Sequence, residues 1–237
     1  MWKLLKRLLL ICLVIGVAYL GNIVYIGYQI YYEAITKTPL EEMVQQIKSK
    51  NNYTSINDMP KIYKDAVIAV EDHRFYLHNG IDFFSITRAL INDIKAMAFV
   101  EGGSTITQQL AKNTYFTQEK KLTRKIAEIF MALEFERKYS KDDILELYLN
   151  TSYFGEGCYT VSEASRFYFG KEPIEMNDYE ATMLAGIPNA PSVYAPTRNL
   201  DLAVQRQRQV LDKMVEYGAI TLEKAQEILS ENNKNEE

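Results

Sequence analysis

From Leu8 to Ile30 the chain is almost wholly apolar, broken only by Asn22, Gln29 and a few glycines. A helix of that length, rising about 1.5 Å per residue, crosses a hydrocarbon core of roughly 30 Å. Lys3, Lys6 and Arg7 precede the run and Glu33 follows it. Positive charge stays on the cytoplasmic side, so the short N-terminus is expected there and the rest of the chain outside. Tyr25, Tyr28, Tyr31 and Tyr32 crowd the far end, where amphipathic rings favour the interface. The run is too long for a cleaved signal peptide, and no A-x-A site follows it. The expected division is a cytoplasmic N-terminus (1–7), a transmembrane helix (8–30), a membrane-proximal linker or helix (31–55), one globular domain (56–230) and a tail (231–237). The tail has no apolar residue and is expected to be disordered.

Of the 237 residues, 47% are hydrophobic, enough for a real core in the roughly 200 residues beyond the apolar run. A net charge of −4 offers no basic surface for a phosphate backbone, so nucleic acid is excluded as a partner. Cys12 lies inside the apolar run and Cys158 far beyond it, so no intrachain bridge and no C-x-x-C metal spacing is expected. The domain reads as helix after helix with hardly any strand alternation, a mainly α fold. Thr38-Pro39-Leu40-Glu41 reads as a capping box with proline at the first helical position. Ser140 opens a helix running to about Asn150, Asn177 with Glu180 opens one that Pro188 stops, a long helix runs from about Leu200 to near Gly218, and Thr221 caps the last.

Three segments carry chemistry. In the first, Glu71 and Asp72 emerge from a helical run whose residues Ile62, Ala66, Val67 and Val70 recur at helical spacing. A carboxylate at the edge of apolar packing loses water and becomes a better proton acceptor. His73 and His78 follow, five apart rather than four, so the H-E-x-x-H zinc-protease pattern fails. In the second, Gly102 and Gly103 allow close backbone approach, and Ser104 or Thr105 can cap the next helix. Ser104, Gln108 and Lys112 then share one helix face, and a helix start beside amides and a lysine suits phosphate oxygens. Neither a P-loop nor a G-x-G-x-x-G unit is present. In the third, a helix from Leu122 to Tyr139, periodicity assigns Ile126, Ile129, Phe130 and Leu133 to a buried stripe. Arg124 and Glu128 fall on another face at i, i+4, where the ordinary reading is an exposed ion pair.

In this order the segments resemble the peptidoglycan glycosyltransferase (transglycosylase) family. That family forms the polymerase domain of bifunctional penicillin-binding proteins and the stand-alone monofunctional enzymes. E-D-x-x-F-x-x-H-x-G is met by Glu71, Asp72, Phe75, His78 and Gly80; G-G-S-T-I-T-Q-Q-x-x-K-N runs from Gly102 to Asn113; R-K-x-x-E is met by Arg124, Lys125 and Glu128. Tyr148-Leu149-Asn150, Tyr153-Phe154-Gly155, Tyr168-Phe169-Gly170-Lys171 and Glu180 to Pro196 continue the match. Thr160 is a departure, standing where many members have glycine.

The resemblance implies a lysozyme-like helical head with a smaller membrane-proximal lobe, and polymerisation of lipid II into glycan strands. It implies Glu71 as general base, Lys112 and Arg124 as the clamp for the departing pyrophosphate, and Glu128 orienting that site or holding a divalent ion (Mg or Mn), with no other cofactor. It extends substrate contacts to Asp72, Phe75, His78, Gly103, Ser104, Thr105, Gln108, Gln109 and Asn113. The implied partners are lipid II, the growing strand, membrane lipids and other cell-wall synthesis proteins. The nearest alternative is a lytic transglycosylase or muramidase; a non-catalytic tethered scaffold is a more distant one. The sequence has no S-x-x-K and no K-T-G, so penicillin binding is not expected.

Overall fold

The computed structural model describes residues 2–96, 102–117, 119 and 121–231. Met97 to Val100, which the sequence offers with Ala96 as a segment dipping into the membrane interface, lie outside these, as does the tail beyond Glu231. Among the described residues there are twelve α-helices, four short 3-10 turns and no strand, so the mainly α expectation holds.

Helix α1 (Trp2–Lys37) is the apolar run, and it continues unbroken well past Ile30. It is the one helix among the described residues long and apolar enough to cross a membrane. Its first two turns and middle are exposed, but Ile23 and Gly27 are buried. Helix α2 (Leu40–Lys48) buries Leu40, Val44 and Ile47. The capping box expected at Thr38 does not form: Pro39 occupies the N-cap without a side-chain bond. The Thr38 carbonyl instead accepts the Tyr115 hydroxyl at 3.0 Å. Helix α3 (Lys61–Glu71) starts after Pro60 and turns Tyr63, Ala66, Val67 and Ala69 inward, leaving Ile62 and Val70 half-buried. Helix α4 (Phe83–Ala96) is begun by Asp82, whose carboxylate accepts the Phe84 amide at 2.9 Å and the Ser85 hydroxyl at 2.8 Å.

Helix α5 (Ile106–Tyr115) has a full capping box between Thr105 and Gln108. Of the two candidate caps it is therefore Thr105, not Ser104, that starts the helix. Helix α6 (Leu122–Lys138) departs furthest from its periodicity. The structure buries Ala127, Glu128, Met131, Ala132 and Phe135 against the core. Ile126 and Phe130 face α1 instead, and Leu133 is 42% exposed. A helix gripped from two sides has two apolar faces, and periodicity cannot say which one meets the core.

Helix α7 (Lys141–Leu149) opens on the expected Ser140–Asp143 box and buries every residue from Ile144 to Leu149. Helix α8 (Val161–Phe169) begins at Thr160, whose extended backbone (φ −138°) needs no glycine and whose hydroxyl accepts the Glu163 amide. Helix α9 (Asp178–Gly186) is buried almost all round and forms the centre of the domain, packed between α3 and α11 (Leu200–Glu216), with the short α10 (Pro191–Tyr194) between them in sequence. The last helix, α12 (Leu222–Ser230), is capped by Thr221 as expected. Helix α5 lies against both α6 and α7. That packing brings the three chemical segments onto one cleft.

Candidate active site

Glu71 is the last residue of α3, so its side chain leaves the helix where the backbone turns away. The turn is held by Asp72. Its Oδ2 accepts the Ile106 amide at 3.0 Å, and both its oxygens lie 3.0 Å from His78 Nε2. Ile106 is the first residue of α5, so an anionic side chain meets the positive end of that helix. The end of α3 is thereby tied to the start of α5, and Gln109, one turn along α5, comes beside Glu71. Gln109 Nε2 donates to Glu71 Oε2 at 2.8 Å, while Glu71 Oε1 is buried with no partner. A carboxylate oxygen without a donor is ready to accept a proton. Gln108 carries the opposite vacancy: its Oε1 caps Thr105, and its Nε2 donor is buried without an acceptor.

A cleft of about 890 Å³ opens here, lined by Glu71, Asp72, Gly103, Ser104, Thr105, Gln108, Gln109, Lys112, Lys125 and Glu128. Gly103 packs closely on α4: a Cβ there would stand 3.2 Å from Ile86 Cα, so the two backbones would have to move apart by a few tenths of an ångström. Lys112 makes no ion pair among the described residues. Burial and Arg124 push its ammonium below the ordinary lysine value, and Glu71 acts in the other direction. Lys125 Nζ donates to Ser104 Oγ at 2.6 Å and sits 3.0 Å from Glu128 Oε2. Burial, followed by Arg124 and Lys112, pushes Lys125 down to about 8.

Glu128 is only 1% exposed and pairs with both Arg124 and Lys125. Instead of the exposed ion pair expected from spacing, a buried carboxylate is gripped by two half-buried cations. Phe75, His78, Asn113 and Arg124 do not line the cleft. Phe75 is fully buried with Lys141 over its ring, and His78 serves Asp72. Arg124 pairs with Glu128 one turn along α6. A divalent ion does not fit at Glu128, because two cations already occupy its carboxylate. Among the described residues the only metal-like cluster is Asp72, His78 and Asp82, elsewhere. Those carboxylates are taken up by an amide, a histidine, Arg74 and a helix cap.

The far wall comes from residues that carry no local signal. Arg206, Gln209, Lys213 and Tyr217 line it from α11 and its end, and Arg88 and Asn92 from α4. His73 stacks on Tyr217 with ring centroids 4.0 Å apart and lies 3.3 Å from Arg88. In sequence these are an ordinary polar helix face. Lys125 is absent from the expected substrate contacts, although its place inside R-K-x-x-E is a signal that could have found it.

A helical domain that sets a free carboxylate oxygen against one unpaired, half-buried lysine and a second lysine held by a buried glutamate is equipped for group transfer: it can take a proton from a hydroxyl and receive an anionic leaving group. Comparison with known proteins gives that class its family. The transglycosylase family profile matches residues 37–215. Penicillin-binding protein 1F of Bacillus subtilis is 45% identical over 185 residues, 78% of this chain and 26% of that protein. Penicillin-binding protein 1A of Neisseria flavescens is 45% identical over 184 residues, 78% of this chain and 23% of that one. The chain thus spans about a quarter of the length of the curated relatives it matches. The crystal structure of penicillin-binding protein 1A from Haemophilus influenzae aligns with a TM-score of 0.37 at 27% identity over 52% of this chain and 15% of that one, too slight a superposition to bear on the fold. The chain belongs to the transglycosylase family.

Proposed function

We propose that this chain is a peptidoglycan glycosyltransferase that polymerises lipid II into glycan strands. Glu71 takes the proton from the 4-hydroxyl of the acceptor sugar through Oε1. The freed oxygen attacks the anomeric carbon of the donor strand from the face opposite the diphosphate. The anomeric C–O bond breaks with inversion, and undecaprenyl diphosphate leaves with the bonding electrons. Lys112 and Lys125 receive the developing negative charge. Arg124 and Glu128 hold Lys125 in place, and no step is routed through a divalent ion.

One observation carries the reading: Glu71 Oε1 is without a donor in a cleft that also holds the unpaired Lys112. A pyrophosphate already leaves well, so the site needs a base and cations rather than a strong acid. In this reading α1 spans the membrane with its N-terminus in the cytoplasm. The domain then faces outward beside a substrate whose isoprenoid tail stays in the bilayer. Cell-wall synthesis proteins are the macromolecular partners it fits. The test is incubation of the full chain with lipid II and, separately, with finished peptidoglycan. Polymer from the first and no release of fragments from the second are expected. Fragment release without polymer would replace this reading with a cleaving enzyme.

A further inference from the structure

We propose that Tyr148, a buried residue of α7 that does not line the cleft, positions the Glu71 base by fixing which way round the Gln109 amide sits. This rests on the reading of Glu71 as the proton acceptor. Tyr148 is 1% exposed, and its hydroxyl lies 3.3 Å from Gln109 Oε1. Gln109 Nε2 in turn donates to Glu71 Oε2 at 2.8 Å. A glutamine amide has an acceptor end and a donor end, and only its neighbours decide their order. Burial raises the Tyr148 phenol well above its ordinary value, so at working pH it remains an O–H and must donate. Its partner is then the amide oxygen, and the NH₂ faces Glu71.

The relay has two consequences. It engages Oε2 and leaves Oε1 for the substrate proton. It also stabilises the ionised carboxylate, because a donor to the charged form favours that form. Without the hydroxyl, the amide is free to turn its own oxygen toward Glu71, which would repel the carboxylate. Tyr63 is a built-in control. It is equally buried, but its hydroxyl has no partner. The other charged and titratable groups lining the cleft with Glu71 are Asp72 and His73 just past α3, Arg88 from α4, Lys112 from α5, Lys125 and Glu128 from α6, and Arg206, Lys213, Glu216 and Tyr217 from α11 and its end. Tyr148→Phe removes none of them, so a shift in that variant reports the relay alone.

The experiment is a pH–rate profile of lipid II polymerisation by the full chain, comparing wild type, Tyr148→Phe and Tyr63→Phe. Tyr148→Phe should move the acid limb upward by about half a unit or more and lower kcat by about 5–10-fold, a fraction of what a positioned base supplies, with KM unchanged. Tyr63→Phe should leave the limb where it is. Gln109→Met, which spares the Tyr148 packing, should shift the limb likewise, and adding Tyr148→Phe to it should add nothing, as for two members of one unit. Difference infrared titration of the Glu71 carboxyl, identified by its loss in Glu71→Gln, should show the same shift without any turnover. An unmoved limb and band in folded Tyr148→Phe, or an equal shift in Tyr63→Phe, overturns the relay. A wild-type chain inactive on lipid II but with the infrared shift intact would sink the reaction assigned to the site and leave the relay standing.

Discussion

At 1% exposure Glu128 has lost nearly all its water and depends on Arg124 and Lys125 for compensation. Removing one side of a buried pair strands the other charge and costs about 3–5 kcal/mol. Glu128→Ala is therefore expected to lower stability by that order in a denaturant titration, as well as to slow turnover. Glu71 differs in kind: its one hydrogen bond is worth about 1 kcal/mol, while a positioned base contributes roughly 10²–10⁴-fold in rate. Glu71→Gln should fold normally by circular dichroism and lose at least about a hundredfold in polymerisation. Near-normal glycan synthesis by that variant would remove Glu71 from its role. Lys125 sets the other end of the pH range. An ammonium pushed down to about 8 is charged below that pH and neutral above it, so under the proposed mechanism diphosphate capture should weaken as pH rises through 8. Lys125→Arg keeps its charge, and the alkaline decline should flatten in its rate profile.

At the scale of elements, the junction of α1 and α6 joins the apolar run to the domain. A Cβ at Gly27 would stand 2.6 Å from the Ile126 side chain and 2.9 Å from the Thr123 carbonyl, so only glycine allows this approach. Tyr28 and Tyr31 then bracket Phe130 at centroid distances of 5.4 and 5.8 Å. Two such aromatic contacts contribute about 0.5–1.5 kcal/mol each beyond their burial. Gly27→Leu should pry the helices apart; a cysteine pair placed across Tyr28 and Phe130 would crosslink readily in the native chain and poorly in the variant. On the core side of α6, Phe135 is fully buried. Phe135→Ala is expected to cost about 3–5 kcal/mol.

Taken whole, the molecule ends its apolar run inside its own packing. The stretch from Ile23 to Lys37 belongs to the domain as much as to the apolar run, since Ile23 and Gly27 are buried and Tyr31, Ala34 and Ile35 pack on the core. A chain starting after Lys37 bares Ile126 and Phe130 and should associate more readily than one starting after Asn22, which keeps them covered. Light scattering of the two, in the same detergent, checks this.

What the sequence alone determined is what depends on neighbours along the chain. The apolar run from Leu8 to Ile30, the caps at Ser140, Asn177 and Thr221, and the ordered motifs holding Glu71, Lys112 and Glu128 are of this kind. Hydrophobic length, capping and side-chain order are local properties, so they can be read directly. Depth is not local. Nothing within a turn of Glu128 distinguishes a solvated i, i+4 pair from a buried carboxylate gripped by two cations, because the distinction is made by α5 packing over α6. The same holds for the two faces of α6, for the wall that α11 lends the cleft, and for Tyr148, which meets Gln109 from 39 residues away. These were decided by tertiary structure, because burial, and with it the strength of every charge and hydrogen bond in the cleft, exists only once the helices have closed on one another.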